Sequence, residues 1–195
     1  MLNLLFITNF KMSETKDICV FCSSSDATDN IYKKQTIKFG KLLAARGHTL
    51  LYGGANVGLM QILFKSVKDN NGKTIGIIPR KIADFGLANH KVDELIISED
   101  MHSRKASLEK RADAFVALPG GFGTLEELSE VVTLKQLGYF NKPIVILNVN
   151  SFYDKLIDFY EHLYQTNFAK EAYRQLYHIT DNVNDALDYI ETYKE

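Results

Sequence analysis

Short apolar runs alternate along the chain with longer stretches in which apolar positions recur every three or four residues. The runs fall at 18–22, 49–52, 74–78, 94–97, 114–118 and 143–149. Most are apolar throughout rather than alternating, the pattern of strands covered on both faces. The helical periodicity predicts helices at 30–45, 58–69, 101–111, 124–137, 152–165 and 182–194. The prolines punctuate the same map, with Pro79 and Pro119 closing strands and Pro143 opening one. This alternation predicts an α/β fold in which a doubly wound parallel sheet carries helices on both faces. No repeat or low-complexity linker interrupts it, so a single domain is expected over 17–195. An N-terminal extension, 1–16, precedes it. Its apolar stretch at 2–7 is short, has no basic flank before it and runs into polar residues, so it reads as a loosely ordered segment rather than a leader.

Composition narrows the function. The chain has 195 residues, 46% hydrophobic and 24% charged, an ordinary globular balance for one domain. Lys and Arg total 23 against 24 for Asp and Glu, a net charge of −1 that leaves no basic footprint for nucleic acid. No apolar run approaches the length of a membrane span, and a cytoplasmic protein is expected. Cys19 and Cys22 form a C-x-x-C, but inside a predicted strand, where residues three apart face opposite ways and a bond between them is geometrically poor. They are expected to be reduced and structural. The histidines at 48, 90, 102, 162 and 178 are scattered, so no metal-ligand spacing emerges and no metal or cofactor is expected. In the tail, Phe152, Leu156, Phe159, Tyr160 and Leu163 have helical spacing, which suits packing better than base stacking.

Ligands of doubly wound sheets sit at the carboxyl ends of the strands. Those ends read Ser23-Ser-Ser25, Gly53-Gly-Ala-Asn-Val-Gly58, Pro79-Arg80, 98–105 and Pro119-Gly-Gly-Phe-Gly-Thr124. Glycines and free N–H groups at a helix start are what a phosphate cradle needs. The last segment lacks the Lys-Ser/Thr pair of a nucleoside triphosphate loop and the spacing of a dinucleotide fingerprint, which leaves a single phosphate on the amides of Gly121, Gly123 and Thr124. Two readings of Glu127 stay open. Thr124-Leu-Glu-Glu127 matches a capping box, and a carboxylate beside such a loop can also face the cationic sugar of a glycosidic transition state. Arg104 and Lys105 stand near the start of a predicted helix, where cations oppose the helix dipole. A buried anionic partner or a phosphorylated ligand explains them; a solvated face with Lys110 is the alternative. Leu128, Val131, Val132, Leu134, Leu137 and Phe140 give the 124–137 region more apolar surface than one stripe buries, and a homodimer or dimer-based assembly is expected.

The Pro119–Glu127 segment, intact as P-G-G-x-G-T-x-x-E, and Met101-His-Ser-Arg-Lys105, matching M-x-x-R-K, together resemble the LOG family of cytokinin riboside 5′-monophosphate phosphoribohydrolases, long labelled "possible lysine decarboxylase". The resemblance continues through Cys22-Ser-Ser-Ser25, Tyr52-Gly-Gly54, Ile77-Ile-Pro79 and Lys142-Pro143. It implies a Rossmann-like fold, at least a dimer, and hydrolysis of the N-glycosidic bond of a purine nucleoside 5′-monophosphate (AMP or N6-modified AMP) to free base and ribose 5-phosphate. By the same resemblance Arg104 and Glu127 take the catalytic positions. Ser23, Gly54, Lys105, Gly120, Gly121, Phe122, Gly123, Thr124, Leu125, Glu126 and Thr133 take substrate-binding ones. The chain departs from the pattern at Ser23 and Ala55, where glycines are usual, and Asp84 is the acidic residue available in the segment 82–88. Nothing marks a pyridoxal lysine, so the decarboxylase label lacks physical support. A non-catalytic carrier of a phosphorylated ligand, such as molybdenum cofactor, is the alternative function.

Overall fold

The computed structural model describes residues 14–194. The expected N-terminal extension therefore lies almost wholly outside the described residues. From the amino end the elements are β1 (Asp17–Phe21), α1 (Asn30–Ala45), β2 (Thr49–Tyr52), α2 (Gly58–Asp69), β3 (Lys73–Pro79), a short α3 (Arg80–Ile82) continued by a π turn (Ala83–Leu87), and β4 (Glu94–Ser98). Then follow α4 (Met101–Arg111), β5 (Ala114–Ala117), α5 (Phe122–Gln136), β6 (Ile144–Leu147), α6 (Asp154–Gln165), β7 (His178–Thr180) and α7 (Val183–Thr192).

The strands form one seven-stranded sheet in the order β4-β3-β2-β1-β5-β6-β7, with every neighbouring pair parallel. Ile18 and Val20 of β1 point to the face covered by α1, α2 and α7, where Phe39, Leu43, Leu63, Val67 and Leu187 complete the core. Cys19 and Phe21 point to the other face, against Leu108 of α4, Leu128 and Val131 of α5, and Tyr153. The predicted doubly wound α/β domain is what the chain forms. The two cysteines fall in opposite cores, both buried and unpaired. Burial pushes both thiols up, which keeps them protonated and inert. No helix among the described residues is long and apolar enough to cross a membrane.

The chain leaves β1 for β2, β3 and β4 on one side and returns to β5 on the other. The topological switch point therefore lies between β1 and β5, where a crevice opens at the strand ends. Two features escaped the periodicity. The turn of helix at 80–87 is too short to show a repeat, and β7 is a three-residue edge strand whose residues are only half-buried. Helix α5 also starts two residues earlier than predicted, with Gly121 as its N-cap.

Candidate active site

The crevice is a cavity of about 400 Å3, large enough for a nucleotide-sized ligand. Three loops and two helix starts build it. The β1–α1 loop brings Ser23, Ser24 and Ser25; the β2–α2 loop brings Gly53 and Ala55; the β5–α5 turn brings Gly121, Phe122, Gly123 and Thr124. Met101 and Arg104 come from α4 and Glu127 from α5.

Close packing of these loops demands small residues. Gly58, with φ +56°, starts α2 directly under the β1–α1 loop, where a Cβ would come within 2.4 Å of the Ser24 carbonyl carbon. The Gly58 N–H donates to Asp26 Oδ1 at 2.9 Å and the Leu59 N–H to the Ser23 carbonyl at 2.9 Å, locking that loop in place. Across the crevice, α5 begins with no side-chain cap. Its first-turn N–H groups have no partner within the helix and aim with the positive end of the dipole into the cavity, a ready anion site.

Arg104 and Glu127 are both buried. Arg104 Nη1 donates to Glu127 Oε1 at 2.5 Å, and its Nε donates to the Ile77 carbonyl at 3.2 Å. Burial raises the proton affinity of Glu127 above the usual carboxylate range, with the Arg104 charge opposing. This corrects the capping reading. With Gly121 at the N-cap, Glu127 lies in the second turn and its carboxylate holds arginine rather than an N–H. The capping box is instead on α4, where Asp100 accepts from the Ser103 N–H and the Ser103 hydroxyl accepts from the Asp100 N–H. The solvated-face alternative for Arg104 fails as well, since the side chain is buried with an anionic partner.

The structure brings Ser23, Arg104, Gly121, Phe122, Gly123, Thr124 and Glu127 onto one cavity. It does not bring all the expected residues there. Gly54 backs onto β3 with φ +70°, and its neighbour Gly53 faces the crevice. Gly120 lines an adjoining cavity of about 350 Å3 that shares Ser23 and Gly121; its missing Cβ makes room for Thr124. Leu125 packs into the core under α5. Lys105 is bound by Glu126 and by Glu130 (2.9 Å), outside the crevice. Thr133 is exposed further along α5, its hydroxyl donating to the Ser129 carbonyl at 2.7 Å, and lines a separate aromatic pocket with Tyr160 and Tyr164. Asp84 is exposed on the π turn; Ile82 is the residue of that segment lining the cavity. Sequence reasoning missed the apolar wall of Met60, Ile78 and Ile82, because nothing distinguishes a cavity-facing aliphatic from a core one. Among the described residues no group of three or more His, Cys, Asp or Glu side chains is placed to hold a metal ion.

The chain is similar to known proteins over most of its length. Residues 60–190 match the family model described as "possible lysine decarboxylase". The cytokinin riboside 5′-monophosphate phosphoribohydrolase LOG2 of Arabidopsis thaliana is 39% identical over 186 residues, covering 93% of this chain and 87% of that protein. The probable cytokinin riboside 5′-monophosphate phosphoribohydrolase LOGL3 of Oryza sativa is 38% identical, covering 93% and 86%. Among solved structures, the molybdenum cofactor binding protein of Rippkaea orientalis superposes with a TM-score of 0.70 at 23% identity, over 92% of this chain and 98% of that one, a likeness of fold. The chain belongs to the "possible lysine decarboxylase" family, the family of the cytokinin riboside 5′-monophosphate phosphoribohydrolases.

Proposed function

We propose that this protein hydrolyses the N-glycosidic bond of a purine nucleoside 5′-monophosphate, AMP or an N6-modified AMP, to the free base and ribose 5-phosphate. The observation that carries the reading is the buried Arg104–Glu127 pair on the same cavity as the uncapped start of α5. The phosphate binds the first-turn N–H groups of α5, with the Ser23–Ser25 loop opposite. That anchor sets the ribose beside Glu127 and directs the base toward Met60, Ile82 and Met101. As the C1′–N bond breaks, its electron pair leaves on the base and positive charge builds on the sugar, where the Glu127 carboxylate stabilises it. Water oxygen then bonds to C1′, and the proton it gives up ends on the base. Arg104 holds the Glu127 carboxylate in place and supplies a cation for the phosphate or the departing base.

A carrier of a phosphorylated ligand needs the cradle but not a buried ion pair beside it. Incubating the protein with AMP separates the two: the hydrolase releases adenine and ribose 5-phosphate in equal amounts, and a carrier returns AMP intact. We also place the protein in the cytoplasm, which suits its two buried thiols, and take it to act as a homodimer. Leu137 and Tyr139, just past the end of α5, are 62% and 75% exposed, and a second copy packed there would cover them. Light scattering at micromolar concentration should return at least the dimer mass; a monomer would contradict it.

A further inference from the structure

Behind the crevice, α4 and α5 enclose a second cavity of about 10 Å3, room for a single water. Lys105, Glu109, Glu127 and Glu130 form its polar wall, so Glu127 separates it from the main cavity. The two helices that carry Arg104 and Glu127 thus meet again, little more than a turn further on, through Glu109 and Glu130.

The charges here do not balance. Glu126 and Glu130 both bind Lys105. Glu109 and Glu130 line this cavity together, and two carboxyls brought that close bond to each other only with a proton between them. Burial first, then the Glu130 charge and this bond, push the Glu109 carboxyl up to about 7; Lys105 opposes the shift and Glu126 adds to it. Nearby, Lys142 donates to the Glu109 backbone carbonyl at 2.8 Å, and β1 contributes uncharged Phe21 and Cys19. Arg104 and Glu127 are engaged with each other.

We infer that Glu109 and Glu130 form a one-proton clamp between α4 and α5, which makes Glu109 a positioning residue for the Arg104–Glu127 pair. The inference rests on the hydrolase reading of that pair. With the proton in place, two like charges become a hydrogen bond that ties the helices together. Once Glu109 ionises, Glu109, Glu126 and Glu130 face Lys105 with a surplus of negative charge, and the repulsion separates the helices that align the site. Turnover therefore falls as the pH rises through neutrality.

The test compares the full-length protein with Glu109→Gln, whose amide donates to Glu130 at every pH. AMP hydrolysis by the unaltered protein should fall at least fivefold in kcat between pH 6 and 8.5. In Glu109→Gln the fall should shrink below twofold, with kcat at pH 6 within twofold of the unaltered protein. Melting temperatures give a second readout that needs no turnover. Because the folded Glu109 keeps its proton above the pH at which the unfolded chain loses it, its ionisation costs stability as pH rises from the ordinary carboxylate range through about 7. Glu109→Gln should therefore gain in melting temperature over the unaltered protein from pH 5.5 to 8.5. The same fall in kcat in both proteins would overturn the coupling to the site, and a flat melting-temperature difference would overturn the clamp. Absence of adenine release at every pH would overturn the hydrolase reading and the coupling with it.

Discussion

Arg104 reaches from the second turn of α4 across the carboxyl end of the sheet to place Nη1 2.5 Å from Glu127 Oε1 on α5, with both side chains buried. Two helices that follow different strands thus present one ion pair to the crevice. Burying such a pair is costly unless the partners satisfy each other, so its presence beside an open cavity points to use rather than to stability.

The geometry of Arg104 depends on a missing methyl group. A Cβ at Gly53 would stand 2.5 Å from Arg104 Nη2 and 3.2 Å from Met60 Sδ. Gly53→Ala should therefore fold, because the far end of a side chain can move aside, while displacing the guanidinium from Glu127. We expect kcat/KM for AMP to drop by on the order of tenfold or more, the usual penalty for a misplaced group, with little change in melting temperature. Steady-state kinetics beside a thermal melt check both halves.

The raised proton affinity of Glu127 sets the acid limb of activity. The carboxylate has to be ionised to face a developing cation, so activity is present above its pKa and lost as pH falls through it. Because burial moves that pKa upward, the acid limb of kcat/KM should lie above the ordinary glutamate value of about 4.3. A limb at or below that value would show that another group governs the reaction.

Catalysis should proceed without a metal. One phosphate can be met by the α5 N–H groups and by Arg104. Dialysis against EDTA is expected to leave adenine release unchanged. Loss of turnover with recovery on adding Mg2+ or Zn2+ would contradict the account.

Much of this was legible in the sequence, for physical reasons that can be named. Strands covered on both faces are apolar throughout, so β1, β2, β5 and β6 announced themselves, and the glycine-rich turns marked their carboxyl ends. The pairing of Arg104 with Glu127 was not legible. They are far apart in the chain, and the local pattern around Thr124 and Glu127 suits a helix cap equally well until Gly121 is seen to take the N-cap position. Lys105 stands apart from the crevice for a related reason. Adjacent residues of a helix point about 100° apart, so when Arg104 turns into the crevice Lys105 turns along the α4–α5 seam to Glu126 and Glu130. Thr133 stands further down α5 than the crevice reaches.

The most direct test of the central claim is to measure AMP affinity and adenine release in Glu127→Gln. The substitution keeps length and an acceptor for Arg104 but removes the negative charge. Stability should fall by about 1–3 kcal/mol, because the buried guanidinium loses its counter-charge. Glu127→Gln should stay folded, bind AMP within a few-fold of the unaltered affinity and release adenine at least about a hundredfold more slowly. Unchanged adenine release by the folded variant would contradict that claim.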